Sequence, residues 1–198
     1  PEYHYAGILD SFKRAAAKMP RVDAIGVSSA GIYIDNEVRV ASLFIKVPRD
    51  EFDAKVRDMY IRAAKEIGDV PLTVANDGDV TALAGALSLK HGRVLGIAMG
   101  TSEAVGYVNK DGNLNGWLSE LAFVPVDYNK KAMVDEWSGD YGCGVKYFSQ
   151  DGVIKLAGFA GIELDENASP AEKLKVVQGL MKNGDPRARE IYENIGIY

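Results

Sequence analysis

The passage from residue 72 to residue 89 constrains this chain more than any other. The apolar stretch Leu72-Thr73-Val74-Ala75 stops at Asn76-Asp77-Gly78-Asp79, and a run rich in alanine follows as far as Leu89. The first stretch has the composition of a buried strand, and the last that of a helix with little side-chain bulk, able to pack closely on a sheet. A strand that feeds a helix through a polar turn belongs to an α/β fold. In open α/β folds, ligands gather at the C-terminal ends of the strands, where these four polar or small residues stand.

The flanking segments repeat the alternation. Ile8, Leu9, Phe12 and Ala15-Ala16 predict a helix over residues 7–18, stopped before Pro20. Residues 22–27 predict a strand, and Ile32-Tyr33-Ile34 and Val38-Arg39-Val40 predict two short ones joined by a tight turn at Asp35-Asn36-Glu37. A helical period returns over residues 50–67, with Gly68 to end it. Strands are expected at 94–99 and 104–108, followed by the turn Asn109-Lys110-Asp111-Gly112, and again at 121–126; from Tyr147 onward the pattern is mostly helical. There is no low-complexity linker and no repeat of fixed period. We expect two lobes, 1–92 and 93–198, divided near His91-Gly92.

Near the end, Asn183-Gly184-Asp185-Pro186-Arg187-Ala188 predicts the end of one helix and the start of another, with Asp185 as N-cap and Pro186 at the first helical position. That helix would present Ile191, Ile195 and Tyr198, and no stop signal follows; no methionine opens the chain. The expectation is an internal piece of a longer protein, incomplete at both ends.

Composition narrows the partners. With 198 residues, 47% hydrophobic and 26% charged, disorder is excluded. A net charge of -5 gives no basic footprint, so we expect no nucleic acid to be bound by this segment and a small molecule instead. No run approaches the roughly 18 apolar residues of a membrane span, and no secretory pattern opens the chain. The single cysteine, Cys143, allows no internal disulfide, which fits a reducing cytoplasm. A homodimer stands as an open expectation.

Three places can carry chemistry. At Asn76-Asp77-Gly78-Asp79, a carboxylate at a strand end can take a proton from a substrate hydroxyl, or Asp77 or Asp79 can simply cap the helix. At Ile97-Ala98-Met99-Gly100-Thr101-Ser102, a small-residue turn can offer N–H groups and hydroxyls to a phosphate, or can be an ordinary β-turn, since it lacks a P-loop lysine. Glu120, between Trp117 and Phe123, is either a carboxylate paired with a polar ligand or an exposed edge residue. Trp117 is either a stacking surface or core. His4 and His91 lack metal-ligand spacing, Cys143 lacks a histidine partner, and Glu163-Leu164-Asp165-Glu166 reads as a solvated loop.

Taken in order, these pieces resemble the middle of a ROK-family sugar kinase of the actin-like ATPase superfamily, over nearly the whole chain. Residues 22–31 are similar to the family's strand and Pro-Gly turn, with Ala30 at the proline position. Asn76-Asp77 matches its Asn-Asp pair and Gly100-Thr101 its second phosphate motif. Ser119-Glu120-Leu121-Ala122-Phe123 falls where the family has Gly-Glu-Ile-Gly-His, Gly142-Cys143 where it has Gly-Cys-Leu-Glu, and Gly184-Asp185-Pro186 matches a late helix start. The resemblance implies an α/β, actin-like (ribonuclease H-like), two-lobed fold with a cleft between Asp77 and Gly100. It implies phosphorylation of a sugar by ATP with Mg2+. Asp77 would be the general base, Asn76, Glu120 and Gly31 would hold the sugar, and Gly100, Thr101 and Ser102 would lie by the transferring phosphate.

The departures from the family pattern carry expectations of their own. Phe123 replaces the histidine, and one cysteine remains of several, so no zinc is expected. Ser102 and Ala104 replace glycines of the phosphate motif. The first phosphate motif and the adenine-binding glycines are not found in these residues. Two rivals stand beside the kinase: a ROK-type sugar-binding regulator without catalysis, and an actin-like phosphotransferase with a non-sugar substrate.

Overall fold

The computed structural model describes residues 1–197; Tyr198, expected on the last helix, lies outside them. The chain forms two compact units, Pro1–Gly96 with Gly106–Leu118, and Ile97–Val105 with Ser119 to the end of the described residues.

In the first unit, β1 (Ile25–Ser29) and β4 (Leu72–Asn76) pair in parallel, with Ile25 opposite Leu72 and Ser29 opposite Asn76. The strand predicted at 22–27 thus sits further along the chain. The hairpin of β2 (Ile32–Ile34) and β3 (Glu37–Val40) turns through Asp35 and Asn36, both at positive φ (54° and 65°), the geometry that short polar side chains tolerate best. Asn36 then continues the edge of β4: its amide donates to Leu72 O at 3.0 Å, and its Oδ1 accepts Val74 N–H at 2.8 Å. Helix α1 (Glu2–Ala16) lays Tyr5, Ile8 and Phe12 on a core of Val38, Phe44, Val56, Met59, Tyr60 and Val74.

The single helix predicted over 50–67 is broken. It consists of α2 (Arg49–Glu51), a π-helical turn Phe52–Val56, and α3 (Met59–Lys65). The break falls where the helix meets the sheet: the Arg57 carbonyl accepts Val38 N–H of β3 at 2.8 Å, next to the π-helical turn.

Helix α4 (Asp77–Leu89) follows β4 directly and packs on the strands β5 (Val94–Met99) and β6 (Glu103–Val108), which pair with each other. The small residues make this approach close. A Cβ at Gly96 would stand 2.9 Å from Ala82 Cβ, and one at Gly106 would stand 2.6 Å from the backbone nitrogen of Asp79.

The second unit is largely helical beyond Ser149. Helices α5 (Gln150–Phe159), α6 (Pro170–Lys182) and α7 (Pro186–Ile197) bury Val153, Ala157, Val177, Ala188 and Ile191 together. Ser169 and Glu172 form a capping box at the start of α6. Asp185 caps α7 as expected, its Oδ1 accepting Arg187 N–H at 2.9 Å. The strand predicted at 121–126 is not formed. Leu121–Phe123 is a 3-10 turn, and only the residues after it pair, Val126 N–H with Gly142 O at 2.7 Å and Gly144 N–H with Val124 O at 3.0 Å. Among the described residues no helix is long and apolar enough to cross a membrane.

Candidate functional site

Gly31, Asn76 and Asp77 come together at the C-terminal ends of β1 and β4. Asn76 is the N-cap of α4: its Oδ1 accepts Gly78 N–H at 2.8 Å while its amide donates to Gly31 O at 2.9 Å. The capping role that the sequence left open between Asp77 and Asp79 therefore falls to Asn76. Asp77 is half-exposed at the first helical position, and Gly78 N–H reaches its Oδ1 at 3.2 Å. Asp79 is tied elsewhere. Burial raises its carboxyl above the ordinary range, and a hydrogen bond from the Tyr107 N–H opposes that rise. Gly31 has φ +128° and lies against the β3 end, where a Cβ would stand 2.7 Å from Ala41 Cβ. The turn before β2 therefore needs glycine, and its carbonyl is free to fix Asn76.

A hydroxyl network that sequence reasoning missed stands beside these residues. Tyr33 donates to Ser29 Oγ at 2.8 Å, and Ser29 Oγ is 3.0 Å from Tyr60 Oη. Burial pushes the Tyr33 phenol well above its usual range against the opposing bond from Ser29, and the Asp77 charge adds to the rise. The tyrosine is thus within electrostatic reach of Asp77 and stays a neutral hydrogen-bonding group. The signal was present in Ser28-Ser29 at a strand end, but three separate segments must fold before the hydroxyls meet.

Gly100, Thr101, Ser102 and Glu120 belong to the second unit. The turn closes with Gly100 N–H on Ser102 O at 3.0 Å, and Gly100 O accepts the first N–H of α5, from Gln150, at 2.9 Å. Both backbone groups of Gly100 are therefore used to hold the turn. Its surface stays open: all three residues are exposed, and a Cβ at Gly100 would meet nothing nearer than 4.0 Å. The hydroxyls of Thr101 and Ser102 and the lack of bulk at Gly100 fit a phosphate group approaching the turn.

Directly after the turn, Glu103 is 6% exposed and its Oε2 has no hydrogen-bond partner among the described residues. Burial without a partner pushes its carboxyl up to about 7. It lines a cavity of about 460 Å³ with Ile97, Met99, Leu121, Phe148 and Tyr192. Met99 and Glu103, on either side of the Gly100–Ser102 turn, and Leu121, next to Glu120, share this lining. Glu120 itself is half-buried at the start of the 3-10 turn, where its carbonyl accepts Phe123 N–H.

Residues 124–143 are organised by hydrogen bonds. Tyr147 Oη donates to Asp127 Oδ2 at 2.5 Å, which lowers that carboxyl below its ordinary range, and accepts Met133 N–H at 3.1 Å. Gly142, at φ +72°, passes so close to the Asp127 carbonyl that no side chain fits. Cys143 is buried, and that burial raises its thiol. Among the described residues no three histidine, cysteine, aspartate or glutamate side chains cluster closely enough to hold a metal ion.

No protein-family model matches this sequence, and no curated protein matches it significantly. Solved structures do. A ROK family transcriptional regulator, a homologue of the E. coli MLC protein, aligns with 98% of this chain and 49% of its own at 18% identity and a TM-score of 0.63. The ROK hexokinase from Thermus thermophilus aligns with 96% of this chain and 60% of its own at 18% identity and a TM-score of 0.56. A ROK family glucokinase from Streptomyces griseus, solved with glucose and AMPPNP, aligns with 96% of this chain and 64% of its own at 21% identity and a TM-score of 0.64. This chain has the ROK fold. The α/β fold expected from the sequence is the one in which the chain matches these proteins, and the chain spans about half to two thirds of their length.

Proposed function

We propose that the protein transfers the γ-phosphoryl group of ATP to a hydroxyl of a sugar, with Asp77 as the general base. The observation that carries this reading is the position of Asp77. It lies at the C-terminal edge of a parallel strand pair, relieved of capping by Asn76 and set beside the Ser29–Tyr33–Tyr60 hydroxyls. A carboxylate with that freedom accepts the proton as the sugar oxygen attacks phosphorus and ADP departs.

Asn76 keeps a second amide hydrogen after bonding Gly31 O, so it can also bind the sugar beside the Gly31 turn, and the family resemblance gives Glu120 a sugar contact as well. Gly100, Thr101 and Ser102 receive the phosphates. Mg2+ would come with the nucleotide and would supply neutralisation of the phosphate charge. The kinases among the structural neighbours, one of them solved with glucose and AMPPNP, support this choice of substrates.

A second reading has its own support: a transcriptional regulator shares the fold over 98% of the chain, and Phe123 stands where the resemblance puts a histidine. In that case the pocket binds sugar and transfers nothing. The natural full-length protein, given ATP, Mg2+ and a panel of sugars and non-sugar alcohols, separates the readings. Phosphorylation of a sugar supports the kinase, sugar binding without turnover supports the regulator, and turnover of non-sugar acceptors alone refutes both.

A further inference from the structure

We propose that Tyr33 is a positioning residue for Asp77: its hydroxyl pins the turn from Ser29 to Gly31, and the pinned turn holds Asn76 in the orientation that leaves the Asp77 carboxylate free to take a proton. This rests on the reading of Asp77 as the general base. Every residue in it belongs to the first unit.

The contacts form an unbroken chain. The Tyr33 hydroxyl reaches Ser29 Oγ at 2.8 Å and the Ala30 carbonyl at 3.0 Å, so one group bridges the two residues that precede Gly31. Burial keeps that phenol protonated, and its hydrogen is there to donate. Ser29 Oγ lies 3.0 Å from the hydroxyl of Tyr60, a residue of α3 that is only 4% exposed. The Tyr33 and Tyr60 rings meet edge to face with their centroids 5.8 Å apart. The turn is thereby tied to the core through side chains. On its other side, Ser29 stands opposite Asn76 in the β1–β4 register, and Gly31 O accepts the Asn76 amide at 2.9 Å. That bond turns Asn76 Oδ1 toward α4, where it accepts Gly78 N–H at 2.8 Å.

The two ends of an amide side chain differ, one donating and the other accepting. With Gly31 O in place, a single orientation of Asn76 satisfies both of its bonds. If the turn shifts, the amide loses its acceptor and the cap loosens. Gly78 N–H is already 3.2 Å from Asp77 Oδ1 and then passes to that carboxylate. A carboxylate that caps a helix is held in its charged form by the N–H it accepts, which weakens it as a base. Tyr33 therefore acts on Asp77 through Asn76, by its oxygen. A packing role would use only its ring.

Tyr33→Phe keeps the ring and removes the hydroxyl. In the natural full-length protein with ATP, Mg2+ and the accepted sugar, this change should lower kcat about tenfold, the scale of one lost hydrogen bond, with KM within about threefold. Tyr60→Phe, which releases Ser29 Oγ from the core, should lower kcat in the same way by less, and it decides the matter by the same split if Tyr33→Phe does not fold. In an Asn76→Ala background, Tyr33→Phe should cost less than about twofold, because the residue it acts through is gone. An active parent whose Tyr33→Phe variant keeps its kcat, or raises KM alone, overturns the positioning role and leaves Asp77 as the base. An equal loss with and without Asn76 also overturns it. A parent that turns over no hydroxyl acceptor overturns both.

Discussion

Glu103 makes the stability of this protein depend on pH in a direction opposite to that of most paired carboxylates. Its carboxyl rises from 4.5 to about 7 on folding because burial penalises the charged form and no partner offsets it. Between those two values the folded chain holds a proton that the unfolded chain has released. Stability from this group is therefore complete below pH 4.5 and falls as pH rises through about 7. At about 1.36 kcal/mol per unit the loss is at most about 3 kcal/mol, and solvent screening at the open cavity leaves about 1–3 kcal/mol. For a chain of this size that corresponds to about 2–10 °C in melting temperature. Glu103→Gln keeps the shape and cannot ionise. Melting curves of the full chain and of this variant at constant ionic strength, from pH 4.5 to 8.5, should diverge. The variant should gain on the parent by that amount as pH rises and then run parallel to it above pH 8. A gap independent of pH would refute the reasoning. A gap that favours the parent at high pH would show that Glu103 has a cationic partner.

Other expectations follow from close approaches and open ones. Gly100→Ala adds a methyl that meets nothing nearer than 4.0 Å, so stability should hold, while ATP affinity of the full-length protein should drop about tenfold if a phosphate sits on that turn. Unchanged ATP affinity would remove the turn from the site. Gly106→Ala forces a Cβ to within 2.6 Å of the α4 backbone and should cost about 1–3 kcal/mol or more by chemical denaturation. A neutral result would contradict the packing of β6 on α4. Elemental analysis after extensive dialysis should find less than one zinc per chain, because Cys143 is the only cysteine and residues 124–143 are tied by Tyr147, Asp127 and Gly142; stoichiometric zinc would contradict this.

Much of the fold was legible wherever local chemistry decides. The Asp35-Asn36 turn, the small-residue helix α4 and the Asp185-Pro186 start each follow from properties of the residues themselves. The failures fall at distant contacts. Residues 50–67 have a helical period throughout, yet the helix breaks next to Arg57, whose carbonyl accepts Val38 N–H of β3. Residues 121–126 are apolar enough for a strand, but their pairing depends on Gly142 passing tightly against Asp127. The site divides in the same way. Asn76-Asp77 and Gly100-Thr101-Ser102 could be singled out because each stands at a strand end, whereas which of residues 76–79 caps α4 required the actual hydrogen bonds. Glu103 falls one residue outside the strand expected at 104–108, and neither its burial nor its lack of a hydrogen-bond partner among the described residues can be read from its neighbours in sequence.

The central claim is that Asp77 removes a proton from the substrate hydroxyl, and Asp77→Asn tests it directly. The substitution preserves the acceptor that Gly78 N–H uses and leaves the Asn76 cap in place, so α4 should start where it does now. In the natural full-length protein with ATP, Mg2+ and the accepted sugar, kcat should fall by about 10²–10⁴-fold. The sugar Kd should change by no more than about threefold, the scale of a typical non-critical contact. Asp79→Asn, altered at a carboxylate held by Tyr107, should keep its activity. Activity retained in Asp77→Asn, or lost in Asp79→Asn instead, would contradict the assignment.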